Sequence, residues 1–182
     1  MVKSKQEYKN VIVNKPWGYE YLAYENEHVG LWFLHINQKH QTSFHCHPKK
    51  DTGLIVLDGA VDVSFFNDIN RLVAGRKIMI RKGLFHSTKA LSENGANIFE
   101  IETPKIKHDL VRLEDKYGRE AKPYEGKSSE EKKSRECIFF KDPKKDTKDT
   151  YIFSNCKIIV QSILSKDKFM KIQDYENIIF LN

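Results

Sequence analysis

Between Trp17 and Thr103 the chain is a succession of short apolar runs broken by turn residues, and no apolar repeat of helical period runs through it. Leu31-Trp32-Phe33-Leu34-His35-Ile36 is an apolar, partly β-branched run, and Gly53-Leu54-Ile55-Val56-Leu57 is another. Asp58-Gly59 then reads as a hairpin turn, followed by Ala60-Val61-Asp62-Val63-Ser64-Phe65, in which polar and apolar residues alternate. Gly75 to Ile80 and Ala96 to Thr103 continue the pattern. Many short strands with regular turn signals predict an all-β sandwich or barrel, since each strand must bury a face against another sheet.

The character of the chain changes at Lys105. Asp109-Leu110-Val111-Arg112-Leu113-Glu114-Asp115 is a short amphipathic piece closed by Tyr117-Gly118. Residues 121–150 are dominated by Lys, Glu, Asp and Ser and read as an exposed charged linker; within it Ser128-Ser129-Glu130-Glu131 has the pattern of a capping box opening a short helix. Strand character returns over 151–182, in Tyr151-Ile152-Phe153, Lys157-Ile158-Ile159-Val160 and Ile178-Ile179-Phe180-Leu181. The expected organisation is a barrel over 14–120, the linker over 121–150 and a strand-rich extension over 151–182. A chain of 182 residues has room for one domain and an appendage, not for two full-sized domains.

Composition removes several classes of function. No run of about 18 apolar residues exists, and the opening MVKSKQEYKNVIV lacks the apolar stretch of a secretory signal, so the reading is cytoplasmic, without a membrane partner. Cys46, Cys137 and Cys156 are an odd number at unrelated spacings, which suggests neither a disulfide framework nor a cysteine zinc site. The net charge is +6, but the 31 basic residues are dispersed among 25 acidic ones, which describes a solvated surface rather than a nucleic-acid interface. An excess of positive charge still helps attract a small anion. Gly126-Lys127-Ser128 resembles the end of a phosphate loop only briefly: Ala121 stands where the first glycine belongs, and no apolar strand precedes it.

The informative stretch is Phe44-His45-Cys46-His47-Pro48-Lys49-Lys50-Asp51-Thr52-Gly53. In an extended strand His45 and His47 project to one face, where two imidazoles can share a metal ion at about 2.0–2.1 Å, while Cys46 turns away and packs. His86 arrives later, and if its segment lies beside the first it completes a facial set with open positions. By the same period of two, Glu100 and Glu102 share a face of the strand that follows.

These residues resemble the cupin superfamily. Its first motif, H-x-H, three or four residues, Glu, six residues, Gly, is matched by His45, His47 and Gly59, with Thr52 in the Glu position. Its second is matched by Gly75, Gly83 and His86, with Arg81 in place of Pro. Lys39 stands where the first motif opens with Gly. Lys15-Pro16-Trp17-Gly18, Phe99-Glu100-Ile101-Glu102 and Asp109 to Arg119 are similar to the opening and closing segments of mannose-6-phosphate isomerase-like sugar cupins.

The resemblance implies a double-stranded β-helix (jelly-roll) barrel, commonly dimeric, with a divalent metal ion (Zn, Mn, Fe or Ni) on His45, His47 and His86. It implies an isomerase or epimerase acting on a sugar phosphate or nucleotide sugar. Proton transfer between adjacent carbons needs a positioned base, for which Glu100 and Glu102 are the candidates and His40 a further one. Lys49, Lys50 and Arg81 border the histidine motifs and are candidates for substrate phosphate, with Trp17 as a pocket wall. The Thr52 departure weakens the ligand set and keeps open a non-catalytic carbohydrate-binding cupin; a three-histidine iron dioxygenase is a third reading.

Overall fold

The computed structural model describes residues 8–120, 122–125, 129–132, 137–145, 147–153 and 156–172. The strand expected at Ile178–Leu181 and the Gly126-Lys127-Ser128 stretch lie outside them.

Eleven strands make the barrel: β1 (Val11–Lys15), β2 (Gly18–Glu25), β3 (Gly30–Ile36), β4 (Phe44–Cys46), β5 (Asp51–Asp58), β6 (Ala60–Ser64), β7 (Ile69–Val73), β8 (Lys77–Ile80), β9 (Ser87–Ala90), β10 (Ala96–Thr103) and β11 (Val111–Glu114). With β12 (Glu130–Lys132) at one edge, the larger sheet runs β12-β1-β2-β3-β10-β5-β8, all antiparallel. The opposing layer is β7-β6-β9, extended by an antiparallel bridge between His45 and His86 to the pair β4-β11. This is the expected all-β, double-stranded β-helix architecture.

Two expectations are corrected. Asp58-Gly59 does not close a hairpin: β5 belongs to the larger sheet and β6 to the smaller, so the turn carries the chain around the barrel corner. Gly59 sits at φ +80°, and a Cβ there would lie 2.6 Å from the Gly95 carbonyl oxygen, so only glycine fits the corner. The capping-box pattern near Ser129 does not open a helix, because Glu130–Lys132 is strand β12, pairing Val11 with Lys132 along the edge of β1. Sheet pairing there outweighs the local signal.

Strand β3 explains why the sequence pattern there is continuous rather than alternating. Trp32, Leu34 and Ile36 face the barrel interior with Leu54, Val56, Val61, Val63 and Ile98. Leu31 and Phe33 face outward and are also buried, against a second apolar layer. That layer comes from the end of the chain: residues 137–140, and the hairpin of β13 (Lys148–Phe153) and β14 (Cys156–Gln161). The Phe33 ring meets Tyr21 at 4.8 Å and Phe153 at 4.9 Å, and Phe99 meets Phe140 at 5.8 Å. A strand buried on both faces reads as one apolar run. Helix α1 (Lys166–Met170) completes the described chain, and among the described residues no helix is long and apolar enough to cross a membrane.

Candidate metal centre

Two main-chain hydrogen bonds fix the first pair of imidazoles. His45 N–H donates to the His86 carbonyl at 2.9 Å and His86 N–H to that of His45 at 2.8 Å, a hydrogen-bonded antiparallel pair whose side chains leave the sheet on one face. His47, two positions on, shares the face. Ring centroids lie 4.5 Å apart for His45 and His86, 4.9 Å for His45 and His47, and 5.6 Å for His47 and His86. One nitrogen from each lies within 4.8 Å of the others, and all three rings are buried.

The second nitrogens settle the tautomers. His45 Nδ1 lies 2.7 Å from the Ser43 carbonyl oxygen, His47 Nδ1 2.6 Å from that of Asp109, and His86 Nδ1 3.1 Å from that of Leu84. A carbonyl oxygen only accepts, so each Nδ1 carries the hydrogen and each neutral ring keeps its lone pair on Nε2. Burial is the main reason the rings stay neutral. Burial and then Lys50 lower His47 to about 2; burial lowers His86 to about 4, with Lys50 adding to it. Burial, then His86 and His47, hold His45 well below its ordinary value.

The residues fit a metal ion. The His47 Nε2 is buried and has no hydrogen-bond partner, which a native interior tolerates only where something else fills the gap. Three Nε2 lone pairs with oriented Nδ1–H groups form the donor set and outer shell that a divalent transition metal requires. Thr52, also inward-facing and 1% exposed, has a buried hydroxyl without a partner.

The paired carboxylates of β10 have different neighbours. The Glu100 carboxyl approaches His47 Nε2 to 4.0 Å. Burial is the chief influence on Glu100 and raises its pKa, reinforced by the neighbouring Glu102 and opposed by Lys107. Glu102 is instead tied to Lys50 at 2.5 Å and to Lys107 at 3.4 Å, with Lys50 and Glu102 side chains both 1% exposed. The cavity beside the histidines, about 60 Å³, is lined by His45, His47, Glu100 and Glu102 together with Trp17 and Lys50. Lys49 and Arg81 are not among its walls: Lys49 is exposed, and the Arg81 side chain is 79% exposed, 3.9 Å from Asp51. His40 is exposed as well.

Sequence reasoning missed most of the polar wall. Lys15, Glu20, Lys107, Arg112, Arg119 and Glu125 also line the cavity as one ion-pair cluster, with Tyr124 beside them. Lys107 contacts Glu20 at 3.0 Å and lies 3.6 Å over the Trp32 ring; Tyr124 O–H donates to Glu20. Burial works to raise Glu20, but Lys107 and Lys15 overcome it and bring the carboxylate to about 2. Tyr124 and Glu125 come from the stretch read as a linker.

No family model matches the chain, and no curated protein matches it. Solved structures match at the level of fold. An oxalate decarboxylase from Lactobacillus farciminis superposes with a TM-score of 0.51 at 15% identity over 56% of this chain and 33% of its own. The oxalate decarboxylase of Bacillus subtilis gives 0.50 at 18% identity over 56% of this chain and 29% of its own. This chain thus corresponds to about a third of those proteins. A protein with a double-stranded β-helix domain from Klebsiella pneumoniae gives 0.48 at 13% identity, covering 61% of this chain and 85% of its own. At these identities the likeness is one of fold alone.

Proposed function

We propose that the protein is a metal-dependent cupin enzyme acting on a small phosphorylated or nucleotide-linked sugar, either as an isomerase that moves a proton between adjacent carbons or as an epimerase that removes and returns a proton at one carbon with inversion. The observation that carries the reading is the convergence of three buried, neutral imidazoles with a carboxyl group 4.0 Å from one of them.

His45, His47 and His86 would hold the metal ion through their Nε2 lone pairs. A divalent ion there (Zn, Mn, Fe or Ni) supplies Lewis acidity toward a substrate carbonyl or hydroxyl oxygen. In the isomerase reaction Glu100 takes the carbon-bound proton as a carboxylate and returns it to the neighbouring carbon as the acid, while the hydroxyl proton passes to the carbonyl oxygen; in an epimerase Glu100 takes the proton from the inverting carbon. A carboxyl whose pKa burial has raised is a stronger base than an exposed one, which suits the task. Glu102 has a different part: paired with both Lys50 and Lys107, it holds two cations beside the cavity. Trp17, buried in the wall, excludes water from one side.

The test is solvent exchange. Protein loaded in turn with each of the four metals is incubated in D2O with a panel of sugar phosphates and nucleotide sugars, and deuterium at the sugar carbons is read by NMR. The expected result is incorporation that falls at least ~100-fold in Glu100→Gln. Absence of exchange with every metal and sugar overturns the reading in favour of a non-catalytic carbohydrate-binding cupin.

A further inference from the structure

Glu125 is held by three cations at once. It accepts from Arg119 at 2.5 Å, pairs with Lys15, and lies 3.5 Å from Arg112. All three cationic side chains are at least nine-tenths buried, and all line the histidine cavity. A cluster of buried cations is costly unless an anion completes it.

The remaining bonds show which groups are structural and which are spare. Arg119 is anchored by a fork to Asp115, at 2.9 and 2.7 Å, leaving Nη1 for Glu125. Arg112 donates through one terminal nitrogen to the Lys122 and Pro123 carbonyls, at 2.6 and 3.0 Å, while its Nε is buried without a partner. With Lys50, Glu100 and Glu102, which Lys107 joins to the same network, the cluster holds as many carboxylates as cations only while Glu125 is in place, so its departure leaves a cation in excess. Arg112 is also the cross-strand partner of His45 between β11 and β4. Side chains so related sit about 5 Å apart at Cβ, so an anion on Arg112 places whatever it is attached to beside the imidazoles.

From this geometry we infer that Lys15, Arg112 and Arg119 form a subsite for the oxyanion group of the substrate, filled here by the Glu125 carboxylate as an internal stand-in. An incoming phosphate or carboxylate displaces Glu125, takes its donors and adds the idle Arg112 Nε–H. Swinging Glu125 out also enlarges a cavity of about 60 Å³, well under the roughly 300 Å³ at which ligand pockets usually begin. The inference deepens the proposed function, and rests on it only for the anion's being part of the substrate.

The test therefore uses metal-free, full-length protein and measures binding alone, so that failure of metal loading or exchange does not affect it. Inorganic phosphate is titrated calorimetrically into wild type and Glu125→Gln, with acetate in parallel to tell a phosphate site from a carboxylate one. Glu125→Gln is expected to bind one of the two anions at least tenfold more tightly than wild type, and adding Arg119→Gln is expected to abolish the gain. Should Glu125→Gln fail to fold by itself, phosphate or acetate must restore its folded circular dichroism where chloride at equal ionic strength does not. Equal affinity in wild type and Glu125→Gln, a gain that survives loss of Arg119, or an unfolded variant that neither anion rescues overturns the inference.

Discussion

The His47 Nδ1–H donates to the Asp109 main-chain carbonyl at 2.6 Å, while the Asp109 carboxylate accepts the main-chain N–H groups of Lys49 and Lys50 at 2.7 and 3.0 Å. One residue from the segment before β11 thus orients one of the three imidazoles and pins the turn that follows it. Asp109→Ala leaves the carbonyl but frees the loop bearing it, and outer-shell changes of this kind cost about 10–100-fold in metal affinity. The expected loss is about tenfold, measured by competition with a chromophoric chelator; unchanged affinity removes Asp109 from the centre.

The raised Glu100 pKa fixes the pH dependence of turnover. As a base it works only when ionised, so the acid limb of the kcat/KM profile is expected above the ordinary carboxylate range. The limb is expected to disappear in Glu100→Gln along with the bulk of the activity. A profile whose acid limb lies at an ordinary carboxylate value contradicts the assignment.

Lys50 and Glu102 are a buried ion pair, and removing one partner strands the other. Breaking such a pair costs about 3–5 kcal/mol, but Lys107, 3.4 Å from Glu102, remains to share its charge. Lys50→Met is therefore expected to destabilise by about 2–4 kcal/mol in denaturant unfolding, and Lys50→Met with Glu102→Gln by less than the single change. A double variant as unstable as the sum of both singles shows that the two side chains do not interact.

The neutral imidazoles make the metal-free protein sensitive to acid. His47 titrates near 2 and His86 near 4 when folded, with His45 also far below its ordinary value, whereas in the unfolded chain each returns to about 6.5. Below about pH 6.5 the unfolded chain binds protons that the folded one refuses, so stability falls as pH falls. Glu100 acts oppositely, since its folded form holds a proton more readily, and offsets part of one histidine. Unfolding free energy is expected to fall from pH 7 to pH 5, by about 2–3 kcal/mol per unit at the steepest. A flat profile contradicts three neutral rings.

The parts of the site that were legible in the sequence lie within one strand or one turn. His45 and His47 obey the period of two, as do Glu100 and Glu102, and the strand spacing of 17–103 is enough to foresee two packed sheets. What was hidden depends on which strands become neighbours. Lys15 meets Glu125 across 110 residues of sequence, and nothing local marks either as inward-facing. That Lys50 rather than Lys49 faces the interior is set by the connection of residues 47–50 between β4 and β5, where strand alternation does not apply. Glu125 read as part of an exposed linker because composition does not reveal that it meets Lys15, Arg112 and Arg119 in the interior. Asp58-Gly59 shows the same limit: its chemistry specifies a tight turn, not which sheets the turn joins.

The most direct test of the metal centre is X-ray absorption on protein reconstituted with one divalent metal and freed of excess. The account predicts one ion per chain with three histidine nitrogens at about 2.0–2.1 Å, and loss of that ion in His47→Ala. Substoichiometric metal, or a full complement retained when His47 is replaced, contradicts it.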